Sequence, residues 1–201
     1  MRLHAVRLAS AAIAALLAGA ALAAAPGQPA PDFTVNDASG KPVKLSALRG
    51  KHVVLEWTNP ECPFVQKHYN AQNMQALQKE FGARDVVWLS VNSTRKGHAE
   101  FMDGAQMAAW MQKQGGSPAA VLIDDTSTTG RAYAARTTPH MFVIDPAGRI
   151  VYAGAIDDKR STNPADVKTA NNYVRAALNE SLAGKPVATA STTPYGCSVK
   201  Y

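Results

Sequence analysis

Residues 53–65 read VVLEWTNPECPFV. With His52, the first five form a short β-rich apolar run bounded by turn signals, which predicts a buried strand. Pro63 suits the first position of a helix, so Asn59–Cys62 is a strand-to-helix corner with Cys62 at the helix start. Free N–H groups and the helix dipole favour negative charge there. Thiolate is the nucleophilic form of cysteine, so this is a place for a reactive sulfur. The plain alternative is a buried small hydrophobe or a structural half-cystine. The corner between Pro60 and Pro63 favours the reactive reading, although Glu61 next to Cys62 opposes thiolate formation.

Beyond this corner, Pro63–Phe81 is a predicted helix with Val65, Tyr69, Leu77 and Phe81 on one side and Met74 adjacent. Gly82 stops it. Asp85–Asn92 is a second buried strand, His98–Gln114 a helix ended by Gly115-Gly116, and Ala119–Asp124 a third strand. Met141–Asp145 and Ile150–Ala155 flank Pro146-Ala147-Gly148 as a hairpin. Asn163 caps a last helix with Pro164 at its first position and Gly184 past its end. Its stripe is Val167, Val174, Leu178 and Leu182. Toward the N-terminus, Phe33–Val35 and Val43–Leu45 form a small hairpin. The order predicts an α/β sandwich around a mixed sheet flanked by helices.

Arg2 and Arg7 precede the apolar run Leu8–Leu22, and Ala21-Leu22-Ala23 offers small residues for cleavage, the layout of a secretory signal peptide over residues 1–23. The run is short for a transmembrane helix, which needs about 20 apolar residues. Residues 24–31 read as an extended Pro-rich linker, 32–184 as one domain and 185–201 as a non-helical tail. Removing the signal takes the formal charge from +6 to +4. The remaining charges are scattered, with no basic run interleaved with aromatics, so nucleic acid is not an expected partner. Nor is membrane insertion expected after cleavage. The chain has two cysteines, Cys62 and Cys197. Export places them where a disulfide persists; two cysteines so far apart make no zinc site.

Val53–Val65 resembles the strand, loop and active-site helix start of the thioredoxin superfamily, and Thr138-Pro139 before Met141–Asp145 resembles its cis-proline loop. The opening APDFTVNDASGKPVKLSALRGKHVVL resembles the redoxin branch, the alkyl hydroperoxide reductase and thiol-specific antioxidant family. CPFVQKHYN, TPHMFVID, YAGAIDD and PYGCSVKY are similar to a peroxiredoxin-like subgroup of it. The resemblance runs from Pro31 to Tyr201. It implies a thioredoxin-like three-layer sandwich, a cis Pro139 facing the reactive sulfur, and substrate contacts from Thr138, Pro139 and Pro63. It also implies no cofactor.

Three departures matter. Val65 stands where thioredoxins carry their second cysteine. Asn59 and Leu55 stand where peroxiredoxins have Thr and Pro. Pro139 occupies the place of an Arg that polarises peroxide. Cys197 is then the candidate resolving thiol, its Gly/Pro setting letting the tail swing; the alternative is a permanent staple. Glu56 matches a buried proton-relay acid beneath the active site, a role that a raised pKa would suit; the alternative is a strand-end acid facing water. His140 is more readily structural than functional, and His68 is expected on an exposed face.

The resulting expectation is a periplasmic thiol–disulfide oxidoreductase with Cys62 as nucleophile. Its partners are protein or small-molecule thiols and disulfides, and a thiol reductase or oxidase as electron partner. A thiol peroxidase acting on peroxides is the nearest alternative. A Cu(I) site of Cys62, Cys197 and His140 is a further one, weakened by Val65. A non-catalytic binding module is the last.

Overall fold

The structure is a computed structural model that describes residues 24–201; the expected signal peptide lies outside the described residues. In chain order the elements are β1 (Thr34–Asn36), β2 (Pro42–Lys44), β3 (Val53–Trp57), α1 (Pro63–Asn70), α2 (Asn73–Gly82) and β4 (Val87–Asn92). There follow α3 (Gly104–Lys113), β5 (Ala120–Ile123), α4 (Thr128–Ala132), β6 (Thr137–Thr138), β7 (His140–Ile144), β8 (Ile150–Gly154), α5 (Tyr173–Leu182) and β9 (Cys197–Ser198).

Five strands form the central sheet in the order β5-β4-β3-β7-β8. β3 pairs in parallel with β4, and β4 with β5, while β7 runs antiparallel to β3 and β8 antiparallel to β7. The sheet is therefore mixed, as expected. Every residue of β3 is buried, because both faces of this central strand are covered, and its near-continuous apolar run meets that demand. One face packs under α1, α2, α3 and α5 through Val65, Tyr69, Leu77, Phe81, Met107 and Leu178. The other packs under the N-terminal segment and α4 through Phe33, Val35, Leu45 and Tyr133.

Three predicted helices differ from those observed. Pro63–Phe81 is broken: Gln72 has φ 58°, the left-handed region, and the Gln75 side chain takes the Tyr69 carbonyl that a continuous helix would use. His98–Gln114 shortens to α3, because Asp103 and Gln106 make a reciprocal capping box that fixes the start at Gly104. The last helix divides into a 3-10 segment, Pro164–Thr169, capped by Asn163, and α5, capped by Asn172.

The two end segments are also docked. In the 24–31 lead-in, Gly27 N donates to Ile150 O, Ala30 N to Gly148 O, and Ile150 N to Gln28 O. The tail is non-helical but pinned. Ser191 bridges Ala153, β9 pairs antiparallel with β6, and Val199 N donates to Arg136 O.

Candidate active site

β3 ends at Trp57 and α1 starts at Pro63, and the corner between them is tied to itself. Asn59 Oδ1 accepts from Glu61 N at 2.9 Å, Asn59 O accepts from Cys62 N at 3.1 Å, and Gln66 Nε2 donates to Pro60 O at 2.9 Å. Cys62 is thereby set as the N-cap of α1, with extended backbone and Pro63 at the next position; no side chain caps this terminus. The first-turn amides are left to whatever charge the Cys62 sulfur acquires.

Cys62 is buried at 1 % exposure. Its Sγ donates to Thr138 O at 2.9 Å. Thr138 precedes Pro139 across a cis bond, and Thr138 is also the register partner of Cys197 in the β6–β9 pair. One residue of the cis-proline loop thus receives the thiol of Cys62 and carries the strand of Cys197. Both cysteines are free. Cys197 is half-buried, and its thiol is pushed up to about 12 by burial and then by the hydrogen bond and charge of the neighbouring Cys62. The structure therefore brings together Cys62, Pro63, Thr138, Pro139 and Cys197.

Glu56 is wholly buried in mid-β3. Its Oε1 accepts from Tyr69 Oη at 2.8 Å. Its Oε2 accepts from Trp88 Nε1 at 2.7 Å, Ser90 Oγ at 3.1 Å and Gln78 Nε2 at 3.4 Å. Burial raises its carboxyl pKa, against the pull of these four donors. The same burial, then the Glu56 charge, drives the Tyr69 phenol up.

Asn59, at the place of the peroxiredoxin Thr, is committed elsewhere. Its Nδ2 donates to Glu100 Oε2 at 2.7 Å, and Lys200 Nζ lies 3.5 Å from Glu100 Oε1. His140 is buried against Phe142, ring centroids 4.5 Å apart, and accepts from Arg136 N. Burial, then Arg136, pushes its pKa down to about 3. Phe142 belongs to the core layer opposite that of Cys62. Among the described residues no cluster of three His, Cys, Asp or Glu side chains could hold a metal ion.

His68 corrects an expectation. It is fully buried rather than exposed, with Nε2 3.2 Å from Tyr195 Oη, and its pKa falls to about 3 through burial, then Lys67. Sequence reasoning missed its neighbours Lys67, Asp157 and Tyr195. Each sits in a motif quoted for the resemblance, CPFVQKHYN, YAGAIDD and PYGCSVKY, but no local pattern marks it as buried; distant segments cover it.

Comparison with known proteins gives three findings. A family model described as the AhpC/TSA family matches residues 26–153. The thiol-disulfide oxidoreductase ResA of Bacillus subtilis (strain 168) is 26 % identical over 125 residues, covering 62 % of this chain and 64 % of that protein. The chain thus spans under two thirds of the length of this curated relative. Among solved structures, an uncharacterized conserved protein of Geobacillus kaustophilus superposes with TM-score 0.77 at 25 % identity, over 90 % of this chain and 94 % of that one. The thioredoxin domain of a thiol-disulfide oxidoreductase of Bacteroides vulgatus gives 0.53 at 19 % identity, over 72 % and 96 %. The fold is thioredoxin-like.

Proposed function

The chain belongs to the AhpC/TSA family, and from that we propose that it is an exported, periplasmic thiol–disulfide oxidoreductase with Cys62 as nucleophile and Cys197 as resolving thiol. The observation that carries this reading is the convergence of both cysteines on Thr138. The relative described as a thiol-disulfide oxidoreductase supports the reaction class. The redoxin domain is residues 32–184, and the 185–201 tail brings the second thiol to it.

The Cys62 thiolate attacks one sulfur of a substrate disulfide. A Cys62–substrate disulfide forms, the substrate S–S bond breaks, and the leaving thiolate takes a proton. Cys197 then attacks the Cys62 sulfur, releasing the second substrate thiol and leaving the Cys62–Cys197 bridge. One substrate disulfide is reduced to two thiols and the protein dithiol is oxidised; an external thiol reductase supplies the two electrons that return the pair to the dithiol. When Cys62 loses its proton it can no longer donate to Thr138 O, and substrate meets the loop of Thr138 and Pro139, beside Pro63, once the tail strand that covers it lifts. Glu56 serves as the proton reservoir behind the site.

A peroxide substrate is less well served. With Asn59 donating to Glu100 and Pro139 at the Arg position, the groups that would orient peroxide are absent. Each oriented donor typically contributes about 10²–10³-fold in rate.

The test is insulin reduction with mass spectrometry of trapped thiols. Cys62→Ser should lose all turnover. Cys197→Ser should accumulate the Cys62 mixed disulfide and stall. Normal turnover in either variant would overturn that residue's role, and peroxide consumption near the diffusional limit would move the reading to a peroxidase.

A further inference from the structure

We propose that Lys67, His68, Asp157 and Tyr195 form a buried latch that holds the tail strand down and so sets the proximity of Cys197 to Cys62. The inference rests on the oxidoreductase reading for its consequence and on geometry for the latch itself. These four are positioning residues.

β9 cannot hold Cys197 alone, because it has two residues and an isolated ladder of that length is not stable in water. The stronger attachment lies two residues earlier in the chain, at Tyr195. Its ring meets the Phe64 ring edge-on, centroids 5.8 Å apart, with Lys67 Nζ 5.5 Å from its centre. Its hydroxyl donates to Asp157 Oδ1 and lies 3.4 Å from Lys67 Nζ and 3.2 Å from His68 Nε2. Phe64, Lys67 and His68 are spaced three and four apart, so they form one seat on one side of α1, beginning two residues after Cys62.

The seat is specific because a buried charge must be matched. The side chains of Lys67 and Asp157 are 0 % and 1 % exposed, with Nζ 3.5 Å from Asp157 Oδ2. Lys67 also donates to Lys159 O at 2.6 Å. Asp157 Oδ2 takes no hydrogen bond, so the lysine is its one counter-charge on that side. Asp157 Oδ1 accepts from the Tyr195 hydroxyl and from Lys159 N, the latter at 3.0 Å. Helix, the loop after β8, and tail are thus joined at one point.

Tyr195→Phe removes one hydroxyl and keeps the ring. In the reduced protein, iodoacetamide should modify Cys197 about tenfold faster than in wild type. The Cys62–Cys197 bridge should shift about tenfold toward dithiol in glutathione buffers, because a loosened thiol has a lower effective concentration. Asp145→Ala is the control. It removes a turn hydrogen bond to Arg149 N at the end of β7 remote from Thr138, and should leave both readings at the wild-type level. Unchanged readings in Tyr195→Phe, or equal changes in Asp145→Ala, would overturn the latch. If Tyr195→Phe does not fold, Asp157→Asn read by the same two measurements takes its place, and no change there overturns it equally. A wild type that forms no bridge would overturn the functional reading instead, while the alkylation rate still reads the latch.

Discussion

Glu56 takes four hydrogen bonds on two oxygens, from Tyr69, Trp88, Ser90 and Gln78. Because burial outweighs them and raises the pKa, the folded protein holds the proton more tightly than the unfolded chain. Its contribution is complete below the unfolded value of about 4.3 and is lost as pH rises through the folded value. Glu56→Gln should flatten that slope, seen in urea midpoints as pH rises above the unfolded value. It should also cost roughly 1–3 kcal/mol at every pH, since the amide turns an N–H toward donors that had an acceptor. An unchanged pH profile of stability would contradict this, and an unchanged profile of Cys62 alkylation would remove Glu56 from the proton path. Glu56 was readable in the sequence because an acid amid Val, Leu and Trp must be matched. Lys67 was not. Val65 and Tyr69 mark the inward side of α1 and put Lys67 on the outer one, which distant segments, the loop after β8 and the tail, then cover.

Elements were legible where local signals stood alone and were misplaced where a competing local bond intervened. The strands of the central sheet and the hairpin at Pro146-Ala147-Gly148 follow from apolar runs and turn residues. The helix boundaries do not, because Gln75, Asp103 and Asn172 each offer the backbone a side-chain partner at a point the apolar stripe would carry straight through. The tail strand left no periodic trace, as two residues are too few to show one. What places it is Gly196, whose φ is 140°; a Cβ there would sit 2.0 Å from Thr138 O. Gly196→Ala should therefore force β9 from β6, and amide exchange at Cys197 and Val199 should accelerate while the central sheet keeps its protection. Retained protection at Val199 would show that the strand tolerates the displacement.

At the scale of the whole molecule, Lys67 and Asp157 tie three segments distant in the chain into one packed unit. Removing one member of such a buried pair leaves the other unmatched, at about 3–5 kcal/mol. Lys67→Met should show that loss in urea unfolding, and Lys67→Met with Asp157→Asn should recover part of it. A single variant as stable as wild type would mean that the pair contributes nothing net. The tail continues past this tie to Lys200, whose carbonyl accepts from Arg95 N. It ends at Tyr201, which lies under Arg131 and donates to Ala135 O. The tail therefore has a mechanical character. A load applied at Tyr201 first breaks the contacts with Arg131, Ala135 and Arg95 and then reaches the two-residue β6–β9 pair. Cys197 would lift from Cys62 before any strand of the central sheet bears tension. In a force trace, separation of the two sulfurs would follow release of Tyr201 and precede any event of the central sheet, and an oxidised bridge would erase it.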